Sequence, residues 1–304
     1  MMGWLAPLDI GLTMGLIFAW AVLSLSIALR LFNFPDLTVE GSFLVGAVVF
    51  AVLRKQEVSI VLAMVAGMGA GAIAGALTGF LHSRLRLNKF LAGIIVVAIC
   101  YSVSLRVMGG SNIGLLLVPS LFDLVSSMDR LWDILHIGRL SLTLTLVVVG
   151  AGVLFGALST RSGICLRAAT SNPEYARSLG INVPMSVVVG LSITNSLAAL
   201  GGICLVMYQG FCDVNMGQGV LILALAGMAI GERLVPRERL SFPAFVVVAA
   251  IVGSIVYQVI VAYAIRLGLA PTDLKLVTAL LVLFVVALRA LGPGSGDILF
   301  EEGS

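Results

Sequence analysis

Hydrophobic positions in this chain fall in long runs separated by short polar or charged interruptions. Residues 10–29, 58–81, 140–160 and 240–265 contain no charged side chain at all. A helix needs about 20 consecutive apolar residues to cross a bilayer, so each run predicts a transmembrane helix. Five less uniform runs, at 37–53, 90–107, 184–207, 219–231 and 276–288, predict further spans and bring the total to nine. The apolar positions do not alternate, which excludes a membrane β-barrel. The expected fold class is all-α: one polytopic transmembrane helical bundle over 1–304, with a Gly-rich acidic tail at 292–304 read as disordered.

The interruptions differ from one another. Within the third run Gly67, Gly71, Gly75 and Gly79 recur every four residues. That small-residue face lets another helix approach closely, and it is read as a helix-packing surface. The connection 109–139 carries Leu124, Met128, Leu131, Trp132 and Leu135 at helical spacing, opposite Ser126, Asp129, Arg130 and Asp133. That pattern predicts a helix lying in the membrane interface, with a cap over a translocation path as the second reading. Two breaks carry acids. Phe34-Pro35-Asp36-Leu37-Thr38-Val39 is similar to Phe211-Cys212-Asp213-Val214-Asn215-Met216, and five spans separate the copies. An odd number inserts the halves in opposite directions, so 10–160 and 184–290 are candidate inverted half-repeats, as in many transporters. Asp36 and Glu40, four apart, have two readings that stand side by side. They are functional acids near the membrane, or they cap and favour the start of the second span. Asp213 and Asn215 share those readings. Asn195 and Glu232 are weaker candidates, read as packing and terminus residues.

The segment 171–182 is a polar island between two spans, and it predicts one short helix with both ends marked. Asn172 or Ser171 can accept from the first free N–H groups, Pro173 suits the first helical position, and Glu174 has the capping-box spacing from Ser171. Gly180 supplies the left-handed stop. A helix this short is not stable alone in water, so it must pack on something.

Composition agrees with the pattern. Of 304 residues, 60% are hydrophobic and only 11% charged, against roughly 25% charged in soluble domains. The first run has neither a basic leader nor a cleavage site and is read as a retained span. Cys100, Cys165, Cys204 and Cys212 are scattered, and His82 and His136 lie far apart, so no metal-binding or redox motif is present. No catalytic set is clustered. The net charge of +3 carries no nucleic-acid message. There is no GxxxxGK[ST], so the chain has no P-loop for ATP. Placing 171–182 in the cytoplasm puts eleven of the 18 Lys and Arg residues inside, against seven outside. The expected topology is an outside N-terminus and an inside C-terminus.

Residues 163–182 complete the picture. Arg167-Ala168 followed by Asn172-Pro173-Glu174-Tyr175-Ala176-Arg177-Ser178-Leu179-Gly180-Ile181-Asn182 resembles the "R-A…N-P-x-x-A-x-x-L-G-I-N" segment of the inner-membrane permease subunits of bacterial ABC importers, in the branched-chain amino acid and ribose permease group. The segments 34–42, 209–217 and 273–279 resemble the tryptophan/tyrosine-type permease subfamily. The resemblance covers nearly the whole chain. It implies a type II (BtuC-like) importer permease fold in the bacterial inner membrane, assembled as a homodimer of permeases with two ABC ATPase subunits and an extracytoplasmic substrate-binding protein. This chain itself would bind no cofactor, ATP and Mg residing on the partner ATPase. Asn172, Pro173, Glu174, Tyr175, Ala176, Arg177, Leu179 and Gly180 correspond to the coupling helix that docks on the ATPase. Asn33, Phe34, Asp36, Thr38, Glu40, Phe211, Asp213 and Asn215 are assigned to the translocation path. The cargo expected from the subfamily is an amino acid, with an aromatic leaning. The alternative is a self-sufficient secondary transporter in which Asp36, Glu40 or Asp213 carries a coupling ion. A membrane-embedded enzyme would need a clustered catalytic set.

Overall fold

The computed structural model describes residues 6–115, 118–122 and 137–268, together with Leu276, Ala279, Leu280 and Leu283. The helices are α1 (Ala6–Arg30), α2 (Val39–Lys55), α3 (Ile60–Leu85), α4 (Lys89–Met108), α5 (Ile137–Ser159), α6 (Arg161–Ser171), α7 (Pro173–Ser178), α8 (Val183–Gln209), α9 (Val220–Leu234) and α10 (Phe242–Arg266). Six of them, α1, α3, α4, α5, α8 and α10, are long and apolar enough to cross a membrane.

One expectation is corrected. The runs read as the second and seventh spans form α2, with 17 residues, and α9, with 15. At 1.5 Å per residue these reach about 25 and 22 Å, short of the ~30 Å hydrocarbon core. Among the described residues six helices, against the eight spans expected there, are long and apolar enough to cross. The ninth run, the interface helix expected around 124–135 and the tail at 292–304 lie outside them. The fold is helical as expected, with one small addition. Strands β1 (Asn112–Gly114) and β2 (Phe211–Asp213) pair antiparallel with Ile113 opposite Cys212.

Helices α1 and α8 form the centre of the bundle. Trp20, Leu23, Ile27, Leu191 and Ile203 are buried, along with Phe43 of α2. Helices α3, α4 and α5 turn apolar side chains outward, including Val61, Ile73, Ile94, Ile99, Val148 and Val153. Outward apolar faces of this kind suit lipid. The tightest packing follows a cross-over pattern in which α3 lies along α8 and α10 lies along α1. Gly67, Gly71, Gly75 and Gly79 all face neighbouring helices. A Cβ at Gly71 would come within 2.6 Å of the Asn195 carbonyl oxygen, and one at Gly79 within 2.7 Å of Val188 Cα. On the other side, a Cβ at Gly15 of α1 would meet Ile255 Cα of α10 at 2.6 Å. Ser254 of α10 donates to the Gly15 carbonyl at 2.7 Å.

Candidate functional site

The end of the molecule that carries α7 is built from polar caps. Thr160 closes α5, and its hydroxyl accepts from Gly163 N–H at 3.2 Å, so α6 begins as a separate helix. Asn172 then caps α7 by accepting from Tyr175 N–H at 3.0 Å, with Pro173 in the first turn. Of the two residues offered as caps, Asn172 is the one used; Ser171 is the last residue of α6. Gly180 takes φ +79°, and Ile181 N–H reaches back to the Ala176 carbonyl at 3.0 Å. Ala176 is fully buried among Ala169, Val183 and Ile181, which fixes α7 to the ends of α6 and α8. Tyr175 and Leu179 are left about 60% exposed, at 61% and 60%. Glu174 and Arg177 are exposed beside them. Six residues of helix and the Leu179 that follows them thus form a knob with two bulky side chains facing outward.

The knob is tied to the first break. Thr170 of α6 donates to the Leu31 carbonyl at 3.2 Å, and Phe32 packs on Gly190 of α8. The adjoining Arg30 forms a two-point ion pair with Glu232 of α9, at 2.6 and 2.7 Å. Asn33 is exposed at φ +47°, and its carbonyl accepts from Lys89 at 2.9 Å. Phe34 is buried, edge-on to His82 at 5.2 Å and beneath the Lys89 ammonium at 5.6 Å.

Beyond Phe34 lies a buried polar network. Asp36 Oδ1 accepts from Thr38 N–H at 2.8 Å and Oδ2 from Asn195 Nδ2 at 2.6 Å. Asn195 Oδ1 accepts from Ser42 at 2.6 Å, and its amide also donates to the Leu191 carbonyl at 2.9 Å. Thr38 and Thr78 share a hydroxyl bond of 2.7 Å. Asp36, Thr38, Ser42, Thr78 and Asn195 are all fully buried. Both carboxylate oxygens and both ends of the amide are used, so the desolvation of these groups is compensated by bonds that knit the break to α2, α3 and α8.

Glu40, one turn further on, does not join Asp36. It accepts from Gly219 N–H at 2.9 Å and Leu221 N–H at 3.3 Å, the free donors at the start of α9. The two short helices therefore begin beside each other, with Gly217 packed on the Glu40 carbonyl. In the second break Asp213 Oδ1 accepts from Asn215 N–H at 2.7 Å, the same two-residue turn that Asp36 makes with Thr38. Phe211 and Asn215 are exposed, and Asp213 is half-buried.

Asn195, ranked low from sequence, is the hub of the network. The signal available was a lone amide in an otherwise apolar run, where an unpaired polar group is expensive. Ser42 and Thr78 gave no such signal, and Glu232, read as a terminus residue, did not point to Arg30 as its partner. Among the described residues no cluster of three His, Cys, Asp or Glu side chains is placed to hold a metal.

Comparison with known proteins places this architecture. Residues 8–287 match the family described as branched-chain amino acid transport system / permease component. The chain is 34% identical over 276 residues to a tyrosine transport system permease protein of Clostridioides difficile (strain R20291), covering 91% of this chain and 89% of that one. It is 30% identical over 265 residues to an uncharacterized protein of Rickettsia prowazekii (strain Madrid E), covering 87% and 90%. No solved structure matches. A chain whose capped knob, broken helices and apolar bundle fall within that match is a multi-pass membrane transport permease, not an enzyme, and it belongs to the branched-chain amino acid transport system permease family.

Proposed function

We propose that the chain is the transmembrane permease of an ATP-driven importer of a small solute, an amino acid with an aromatic leaning, working with two ATPase subunits, a binding protein and a second copy of itself. ATP and Mg would reside on the ATPases. The observation that carries the reading is the α7 knob, whose Tyr175 and Leu179 stand exposed on a helix fixed by Asn172, Ala176 and Gly180. The name of the Clostridioides difficile relative supports the aromatic cargo. In this reading the bilayer is the bacterial inner membrane, the knob faces the cytoplasm, the N-terminus lies outside and the C-terminus inside. The fold is a type II importer fold of two inverted half-repeats, 10–160 and 184–290. Its supports are the matching turns at Asp36 and Asp213 and the reciprocal packing of α3 on α8 and α10 on α1.

The path is proposed to run past Asn33, Phe34, Asp36, Thr38, Glu40, Phe211, Asp213 and Asn215. Transport would follow from the ATPases selecting one packing of the bundle over another through the knob. Ion coupling through Asp36, Glu40 or Asp213 is less well supported, because each carboxylate accepts from protein donors. The test is Leu179→Asp, co-expressed with the partner ATPase. Loss of ATPase co-purification, with an unchanged thermal unfolding profile of the permease, is expected. Co-purification at the wild-type level would remove α7 as the docking element.

A further inference from the structure

We infer that the turn between α3 and α4 binds an anionic phospholipid. Arg84 and Arg86 hold the headgroup phosphate, and the outward faces of the two helices receive the acyl chains. Gly79 packs on Val188 near the start of α8, so the turn lies at the α7 end of the bundle. Arg84, Leu85 and Arg86 are exposed there. Ile73, Phe80 and Arg84 stand at i, i+7 and i+11 along α3, which is one face of a helix, and Ile73 and Phe80 are 71% and 48% exposed. On α4, Phe90, Leu91 and Ile94 are exposed as well. From Ile73 to Arg84 the helix rises about 16 Å, roughly half of the ~30 Å hydrocarbon core. An apolar strip one leaflet deep therefore ends at a guanidinium.

The turn is closed by its own hydrogen bonds. Arg86 ends α3 at φ +55°, in the left-handed region. Leu87 N–H returns to the Leu81 carbonyl at 3.3 Å, and His82 donates from Nδ1 to the Leu87 carbonyl at 2.8 Å. Asn88 caps α4 by accepting from Phe90 N–H at 3.0 Å. Glycine takes a left-handed stop without strain, as Gly109 and Gly210 do at the ends of α4 and α8. An arginine in that place costs local stability and gains a guanidinium fixed at the membrane surface. Strain of this kind in a residue other than glycine points to a role for its side chain. Lys89, by contrast, is turned onto the Asn33 carbonyl and the Phe34 ring.

Charge decides the occupant. Residues 58–108, which contain the whole α3–α4 hairpin, hold four Lys or Arg and no Asp or Glu. A second copy meeting this face across a twofold axis would set arginine against arginine, with no acid of the hairpin to pair them. A zwitterionic lipid brings its own cation to the surface. An anionic lipid brings a net negative charge, which basic side chains at a membrane surface attract. The arginine fork also matches the oxygens of a phosphate. The inference needs only that the chain spans a membrane, and it is independent of the cargo and of the ATPases.

The experiment is native mass spectrometry of the full chain in detergent micelles, titrated with dioleoylphosphatidylglycerol or with dioleoylphosphatidylcholine, which has the same chains and no net charge. The wild type is expected to retain phosphatidylglycerol about tenfold or more tightly than phosphatidylcholine, and the double variant Arg84→Gln/Arg86→Gly to lose that preference. Glycine suits φ +55°, so this variant is expected to unfold at a temperature no lower than the wild type does. Arg233→Gln/Arg237→Gln removes the same charge from exposed positions after Glu232, on the same side of the bundle, and is expected to keep the preference. Equal retention of both lipids by the wild type, or an unchanged preference in Arg84→Gln/Arg86→Gly, would overturn the site. The same loss in Arg233→Gln/Arg237→Gln would overturn it in favour of diffuse charge. Displacement of phosphatidylglycerol by inorganic phosphate at matched ionic strength would remove the lipid as occupant. A changed oligomeric state in Arg84→Gln/Arg86→Gly would give the face to a second copy instead.

Discussion

Gly75 has no room for a side chain. A Cβ there would collide with the Leu191 carbonyl of α8, and backbone cannot rotate away as a side chain can. Gly69, six residues earlier on the same helix, meets nothing within 4 Å. Gly75→Val is therefore expected to lower stability by about 1–3 kcal/mol, the range for forced overpacking, while Gly69→Ala stays within about 0.5 kcal/mol. Thermal unfolding of both variants in detergent checks the contrast. The four-residue spacing made this face legible in sequence. Its partner was not, because a stripe of small residues specifies close approach without saying which helix approaches. Asn195 illustrates the same limit: its cost as a lone buried amide was visible, while the Asp36 that offsets it lies 159 positions away.

At the scale of elements, the ends of helices carry the information. The cap at Asn172 and the stop at Gly180 were legible because both act within a few residues of where they sit. The separation of α6 from α5 was missed, since Thr160 terminates an apolar run without any proline or glycine beside it. The starts of α2 and α9, at Val39 and Val220, fall within two residues of the runs read at 37 and 219. Arg30 and Glu232 join the ends of α1 and α9 across 202 positions with both nitrogen–oxygen contacts short, and their side chains are only 19% and 15% exposed. Such a pair should show direct coupling. Arg30→Glu and Glu232→Arg are each expected to destabilise the protein, and the double swap to recover about 0.5–3 kcal/mol of the combined loss. Additive losses in a double-mutant cycle would mean that the two ends hold together without this pair.

For the molecule as a whole, the apolar runs predicted where helices lie to within a few residues, because bilayer thickness leaves little choice of length. What they left out is the pairing of β1 with β2, three residues on each side and about a hundred apart, too short to mark either strand. The proposed orientation has a direct check in the cysteines. Cys165 on α6 is exposed, while Cys100, Cys204 and Cys212 are buried. A membrane-impermeant maleimide is expected to modify Cys165 in inside-out vesicles and to leave it unmodified in intact cells, read as a single mass shift. Labelling of intact cells would invert the topology.

The cap that Glu40 places on α9 bears on how the protein is made. Gly219 offers α9 no capping side chain of its own, so the helix takes its first acceptor from a residue synthesised 179 positions earlier. Likewise α3 presents its glycine face to a helix that has not yet emerged from the ribosome when α3 is inserted. The early helices must therefore wait in the membrane, inserted but loosely associated, until α8, α9 and α10 arrive to close them. Native packing is thus completed late in biogenesis, and a ribosome stalled after α5 would leave the small core of Val45, Ala74, Val96 and Cys100 among α2, α3 and α4 without the rest of the interior.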